Sequence, residues 1–447
     1  MNYSETIDYL FGLSNVGIKL GLRRIRVLLE ALGSPERRMR TILVAGTNGK
    51  GSAVAMIHAV LSAAGLRTGR YTSPHIIDFE ERIVAGHQPI PRDEVARIAT
   101  RLRELVQSLV ERGALESHPT YFELVTAMAL AHFAAQGMDA AVLEVGLGGR
   151  FDATNAADPD ISVITRVALD HTHFLGSTLR QVAFEKAGII RSRRPVVTSC
   201  EPGAALDVIR EVAGRCGAEL QVASELCRRS AVRPLETGGY RFDLRTPAAS
   251  YTDLHLPLRG EHQLENAAAV VLALETLARQ GLPVDEARIR EGLSSVSWPG
   301  RLELVPGSPP LLFDCAHNPD GTRSLADYLD REVSRPVTLL FGVMGDKDVG
   351  EMTSRLFPRA LRVVLTRPEY NRAMEPVEVA RIGGRHAAEM HLEPDPRRAL
   401  ELSRRLAGPN GLVLVAGSIF LVSDIKKAAA QPADPSPAEA PAQIAKW

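Results

Sequence analysis

Cysteine is scarce in this chain. The 447 residues hold four, Cys200, Cys216, Cys227 and Cys315, with no C-x-x-C pair. A disulfide framework is excluded at that density, and reduced thiols in a cytoplasmic protein fit best. An excess of either charge is also lacking, because Lys plus Arg and Asp plus Glu stand at 53 each. No global field therefore points to nucleic acid or a membrane surface, and a small-molecule partner is expected. No apolar run reaches the roughly 18 residues of a membrane span. The N-terminus, with Asn2, Ser4, Glu5 and Asp8, lacks the basic region and apolar core of an export signal. Internal repeats are absent as well, and a monomer is expected.

What is present is an ordinary globular composition, 45% hydrophobic and 24% charged, in a chain long enough for two or three cores. From Asn2 to Arg40 the pattern is helical, with Ile25, Leu28, Leu29 and Leu32 on one face before Gly33-Ser34-Pro35. Thr41–Ala45, Ala140–Glu144, Ile161–Thr165 and Pro195–Thr198 then read as strands buried on both faces, each followed by a loop and a helical stretch. That alternation predicts an α/β fold with a mostly parallel sheet flanked by helices. Residues 219–258 alternate instead and read as a small antiparallel region. The rhythm restarts after Trp298-Pro-Gly-Arg301 with strands at Pro310–Phe313, Val337–Phe341, Val363–Leu365 and Gly411–Ala416 and a helix from about Gly321. Domains are accordingly drawn at 1–297 and 298–428. The segment 429–447, in an Ala/Pro/Gln-rich stretch with four prolines, reads as a disordered tail.

In open α/β sheets ligands gather beyond the carboxyl ends of the strands. After the first strand stand Gly46, Thr47, Asn48, Gly49, Lys50, Gly51 and Ser52. Glycines there let backbone N–H groups turn toward one point, and a following helix adds its positive end, which makes a cradle for a nucleoside triphosphate with Lys50 on the β/γ-phosphates. Gly51 separates the lysine from Ser52, unlike the usual G-K-[ST] loop. A glycine-rich turn that binds nothing is the alternative. Beyond the second strand, Glu144 leads into Gly146-Leu-Gly-Gly149, glycines expected to let a ligand approach. A carboxylate at a strand tip suits magnesium, which keeps waters and needs few protein oxygens. Phe151 stands where a dinucleotide fingerprint needs its third glycine, which rejects NAD. Asp170-His171-Thr-His173 taken alone would suit a zinc hydrolase, but the phosphate cradle has no use in one.

Gly-Thr-Asn-Gly-Lys-Gly-Ser resembles the phosphate loop of the Mur ligases, in their folylpolyglutamate synthase/dihydrofolate synthase branch. Further matches are Thr72-Ser73-Pro, Phe184-Glu-Lys186-Ala-Gly, Gly260-Glu-His-Gln-Leu-Glu-Asn266, Trp298-Pro-Gly-Arg301 and Asp314-Cys-Ala-His317-Asn-Pro. Gly17-Ile-Lys-Leu-Gly-Leu, Gly342-Val-Met-Gly-Asp-Lys347 and Val415-Ala-Gly-Ser418 extend the likeness over all but the tail. The resemblance implies an N-terminal P-loop ATPase domain and a smaller C-terminal Rossmann-like glutamate ligase domain. It implies ATP and two magnesium ions, the first on Ser73, Glu144 and His171 and the second on carbamylated Lys186. Asn266, Arg301 and Asp314 would reach the nucleotide, the last two from motifs that line an inter-domain cleft in the family. His317 would meet the reacting ends of the substrates, with Arg82 toward their pocket and Ser418 also in the substrate set. Thr120, Tyr121, Phe122 and Glu123, with Phe151, Asp152 and Ala153, correspond to a dihydropteroate site.

The reaction so implied is ATP-dependent addition of L-glutamate to reduced folates and to 7,8-dihydropteroate, through an acyl phosphate. A polyglutamylase without the dihydropteroate activity, or another Mur-type amino acid ligase, stays open. A GTPase switch would need a guanine-reading N-K-x-D element, and the chain has no Asn-Lys dipeptide.

Overall fold

The computed structural model describes residues 1–13 and 21–430. Most of the segment opening at Gly17, and the tail from 431 on, lie outside the described residues. The chain divides into two compact units, Met1–Pro257 with Gln263–Ser297, and Leu258–His262 with Trp298 onward.

The first unit is built on an eight-stranded sheet. Its spatial order is Gln88–Pro89, Ile83–Ala85, Thr68–Tyr71, Ala140–Glu144, Arg40–Ala45, Ile161–Ile164, Val196–Thr198 and Leu220–Val222. All pairs are parallel except those made by Ile83–Ala85. Ala140–Glu144 and Ile161–Ile164 are buried at every position, as expected of strands covered on both faces. The helix Lys50–Ala63 connects Arg40–Ala45 to Thr68–Tyr71, while Ala140–Glu144 and Ile161–Ile164 flank the first of these on opposite sides. Strand order thus reverses beside Ala45, which opens a crevice at that carboxyl end.

Two features differ from the sequence reading. Leu220–Val222 joins the main sheet in parallel with Val196–Thr198, so the antiparallel region begins only at Arg228. It comprises Arg228–Pro234, Tyr240–Arg245 and Ser250–Leu256, with Tyr240, Phe242, Leu244, Tyr251, Leu254 and Leu256 buried on one face. The edge strand Gln88–Pro89 and the inner strands Ile83–Ala85 and Thr68–Tyr71 are two to four residues long. Such lengths leave no measurable period in a sequence.

The second unit holds a six-stranded sheet, in the order Glu303–Val305, Leu311–Phe313, Leu412–Ala416, Val337–Phe341, Arg362–Leu365 and Met390–Leu392. Only the first pairs antiparallel. The helix Pro319–Glu332 opens on Asn318, whose side chain accepts from the Gly321 N–H, with Pro319 supplying the pre-set φ of a first helical residue.

Candidate active site

The loop after Ala45 is sewn to the loop after Ile164. The Thr47 N–H donates to the Arg166 carbonyl at 2.8 Å, Thr47 Oγ1 to the Ala168 carbonyl at 2.9 Å, and Thr165 Oγ1 to the Asn48 carbonyl at 2.8 Å. Two glycines are dictated by this packing. A Cβ on Gly46 would land on the Thr165 hydroxyl, and one on Gly49, at φ +89, would lie 2.6 Å from Asn266 Oδ1. No side chain caps the helix that begins at Lys50, so its first-turn amides keep their anion-attracting polarity. Ser52 is buried, and its Oγ accepts from Gln263 Nε2 at 3.1 Å, while Gln263 Oε1 accepts from Asn266 Nδ2 at 3.1 Å. Gln263 is a residue the sequence reading passed over, although it stands inside the quoted Gly260–Asn266 motif.

Two lysines converge on this loop. Lys50 Nζ donates to the carbonyls of Gly46 and Thr47 at 3.2 and 3.1 Å, and Lys186 Nζ to the Gly46 carbonyl at 2.7 Å. Lys186 is only 4% exposed. Burial first, then the charge of Lys50, brings its ammonium down to about 7, against the pull of Asp170. Near neutral pH a large share of it is therefore the neutral amine.

Glu144 ends its strand 6% exposed and accepts from the Ser73 N–H at 3.2 Å. His171 sits in left-handed backbone at φ +50, with its N–H on Asp170 Oδ1 at 2.8 Å and Nε2 4.0 Å from the same oxygen. Among the described residues no group of three His, Cys, Asp or Glu side chains forms a closed metal cage. A carboxylate, a hydroxyl and an imidazole beside a phosphate cradle are nonetheless a donor set that fits magnesium, which takes the rest of its shell from phosphate and water.

The residues matched to a dihydropteroate site divide into two kinds. Thr120 and Glu123 form a capping box for the helix Tyr121–Ala135, and Glu123 Oε2 also meets Arg24 Nε at 3.1 Å. Asp152 is likewise engaged locally, accepting from the Leu147 N–H at 2.9 Å and from the Thr154 N–H and hydroxyl at 3.0 and 2.5 Å, while burial pushes its carboxyl up. Ala153 is buried beside it. Tyr121 and Phe151 present more surface. The Arg82 guanidinium lies 5.6 Å from the Tyr121 ring, Phe11 stacks on that ring at 5.8 Å, and Arg82 Nε donates to His75 Nδ1 at 2.8 Å. Phe151 lines a cavity of about 470 Å³ with Leu22, Arg23, Arg26, Val27 and Glu30. Phe11 carries no motif and was missed; its ring contacts with Tyr121 and His75 mark it.

The glycines after Glu144 are placed otherwise than expected. A Cβ on Gly146 would come within 2.5 Å of the Phe122 ring, and one on Gly149 within 2.9 Å of the Glu185 and Lys186 carbonyls. Their missing Cβ atoms make room for neighbouring chain.

In the second unit, adjacent parallel strands bring three loops together at their carboxyl ends. The Gly417 N–H donates to the Ala316 carbonyl at 3.1 Å and the Gly342 N–H to the Ala416 carbonyl at 3.4 Å. Asp314 accepts from the Leu302 N–H at 3.0 Å and the Ala316 N–H at 2.9 Å. Its carboxyl is pushed up by burial, with Arg301 opposing. His317 Nδ1 lies 2.9 Å from the Cys315 carbonyl, which can only accept, so that hydrogen bond puts a proton on Nδ1. Ser418 is buried, with Oγ accepting from the Phe420 N–H at 3.1 Å. Lys347, whose side chain is 8% exposed, follows the neighbouring strand and had been quoted only as part of a motif.

Residues 44–274 match the Mur ligase middle domain, and residues 300–419 match the Mur ligase glutamate ligase domain. A dihydrofolate synthase/folylpolyglutamate synthase of Bacillus subtilis is 36% identical over 95% of this chain and 98% of its own. The fold superposes on Mycobacterium tuberculosis folylpolyglutamate synthase complexed with ADP and AMPPCP with a TM-score of 0.87, at 31% identity, covering 96% of this chain and 100% of the other. An Escherichia coli structure in complex with DHPP and ADP gives 0.84, at 31% identity, over 94% and 97% of the two chains. Among the described residues no helix is long and apolar enough to cross a membrane.

Proposed function

Because the chain belongs to the Mur ligase family, in its folylpolyglutamate synthase/dihydrofolate synthase branch of ATP-dependent glutamate ligases, we propose that it joins L-glutamate both to reduced folates and to 7,8-dihydropteroate through an acyl phosphate. The observation that carries this reading is the convergence of Lys50 and Lys186 on the Gly46 carbonyl, at the strand-order reversal beside an uncapped helix start. Dihydropteroate rests on the half-buried ring of Tyr121 and the exposed ring of Phe151, and on the DHPP complex of the E. coli relative.

A carboxylate does not condense with an amine unaided at neutral pH. In the first step an oxygen of the acceptor carboxylate attacks the γ-phosphorus, a C–O–P link forms, and the bond to the ADP oxygen breaks. Lys50 leaves the loop carbonyls to neutralise the transferring group, and the loop amides hold the phosphate chain. Magnesium, when bound, supplies positive charge to the phosphate oxygens, and Ser73, Glu144 and His171 would hold it. Lys186, its amine converted with CO2 to a carbamate and a proton released, would hold a second ion. Asn266, Arg301 and Asp314 are assigned to the nucleotide. In the second step the amine of L-glutamate attacks the acyl carbon and phosphate departs. His317 Nε2 takes the amine proton, while Lys347 and Ser418 offer a cation and a hydroxyl to glutamate's carboxylates. The enzyme is read as a cytoplasmic monomer that needs neither nucleic acid nor membrane.

The test is ADP release with Mg-ATP and L-glutamate, run in parallel with 7,8-dihydropteroate and with tetrahydrofolate, and products weighed by mass spectrometry. One added glutamate on each acceptor is expected. Turnover of tetrahydrofolate alone would remove the dihydropteroate activity, and silence with both would point to another Mur-type ligase.

A further inference from the structure

Arg301 lies between two residues in left-handed backbone, Gly300 at φ +70 and Leu302 at φ +47. For a buried leucine that conformation is sterically costly and persists only where surrounding bonds over-determine it. Here three hydrogen bonds do so. The Gly300 N–H donates to Glu303 Oε2 at 2.6 Å, the Cys315 N–H to the Gly300 carbonyl at 2.9 Å, and the Leu302 N–H to Asp314 Oδ2 at 3.0 Å.

The carboxylate that grips Gly300 is itself held from far along the chain. Lys426, in the helix Ile419–Ala430, places Nζ 2.6 Å from both oxygens of Glu303 and 5.2 Å from the centre of the Phe313 ring. Phe313 is the register partner of Glu303 on the adjacent strand. The two side chains are 14% and 28% exposed, so the pair is largely withdrawn from water and less screened than a surface ion pair.

We propose that Lys426 is a positioning residue for ATP, acting through Glu303 to fix the turn that aims Arg301. The inference rests on the assignment of Arg301 to the nucleotide. The helix that begins after Ser418 thereby has a second task two turns on, bracing the entry turn of its own unit.

The experiment compares steady-state constants of the full chain with those of Lys426→Met, Lys426→Arg, Glu303→Gln, Arg301→Ala and the Arg301→Ala/Lys426→Met double variant. In Lys426→Met the KM for ATP should rise about tenfold, the low end of what a charge-assisted hydrogen bond contributes. Both kcat and the KM for glutamate should stay within about twofold, because an interaction confined to nucleotide binding moves one constant and not the others. Lys426→Arg should restore the KM for ATP. The double variant should be no worse than Arg301→Ala alone, since both lesions act on one contact. Glu303→Gln, which keeps an acceptor for Gly300 while removing the charge, should repeat the Lys426→Met result and serves if that variant does not fold. An unchanged KM for ATP in the lysine and glutamate variants, or additive losses in the double, would overturn the proposal. If Arg301→Ala itself leaves that KM unmoved, the nucleotide assignment of Arg301 is what fails.

Discussion

At the scale of the residue, chemistry-bearing side chains were more legible than the small residues around them. Lys50, Glu144 and Lys186 follow strand ends or sit in dense motifs, and the structure sets Lys50 and Lys186 on one carbonyl. Gly146 and Gly149 misled because spacing cannot say whether a missing Cβ makes room for a ligand or for Phe122 and the Glu185 carbonyl. Asp152 illustrates the same ambiguity for a polar residue, since its oxygens are taken up by Leu147 and Thr154. Lys186 gives the sharpest test at this scale. Lys186→Ala should lose at least about a hundredfold in kcat, the order expected for a group stabilising transferred charge. Millimolar acetate or propionate should return part of it by standing in for the carbamate. A variant indifferent to every short carboxylic acid would remove the carbamate from the mechanism.

At the scale of the element, continuous apolar runs marked the central strands to within a residue or two, as at Ala140–Glu144 and Val337–Phe341. Leu220–Val222 was misassigned because period-two alternation looks the same in a parallel edge strand and an antiparallel one. The helix Lys50–Ala63 shows what tertiary context adds. It is buried almost all round, and a Cβ on Gly292 of the helix Glu286–Ser295 would run into the Val60 backbone. His58, on that helix, is 4% exposed and has Nε2 3.2 Å from the Thr68 carbonyl. Burial, reinforced by Arg70 and His87, takes its pKa from 6.5 down to about 4. The unfolded chain therefore binds a proton that the folded one refuses between those values. Stability is fully present above about pH 6.5 and is lost as the pH falls toward 4, by on the order of 3 kcal/mol. Melting temperatures between pH 7 and 4.5 should fall more steeply for the native chain than for His58→Gln; parallel slopes would show that His58 is not the group responsible.

For the whole molecule, each unit carries part of its assigned set at or just beyond the carboxyl ends of parallel strands, Gly46–Ser52, Ser73, Glu144 and His171 in the first and Asp314, His317 and Ser418 in the second, where the alternation of strands and helices led us to look. The units' membership is less regular than the drawn boundary at 297, because Leu258–His262 belongs with the second unit, and no composition shift marks that excursion. A ligand that binds only the folded state raises its stability by mass action, by about 2.7 kcal/mol at a hundred times its dissociation constant. MgATP should therefore raise the melting temperature of the native chain, a chelator should cancel most of the rise, and Lys50→Ala should show neither the shift nor turnover. A full shift in Lys50→Ala would place the nucleotide elsewhere. The resting hydrogen bonds of Lys50 to Gly46 and Thr47 carry one more implication. The lysine is answered by carbonyls of its own loop. A guest that engages Lys50 must compete with those carbonyls through negative charge within the lysine's reach, so adenosine, which has no phosphate, and AMP, which lacks the β- and γ-phosphates assigned to Lys50, are expected to bind more weakly than MgATP. Discrimination among adenine nucleotides by phosphate number is then expected of the loop itself, and equal affinity for AMP and MgATP would overturn that expectation.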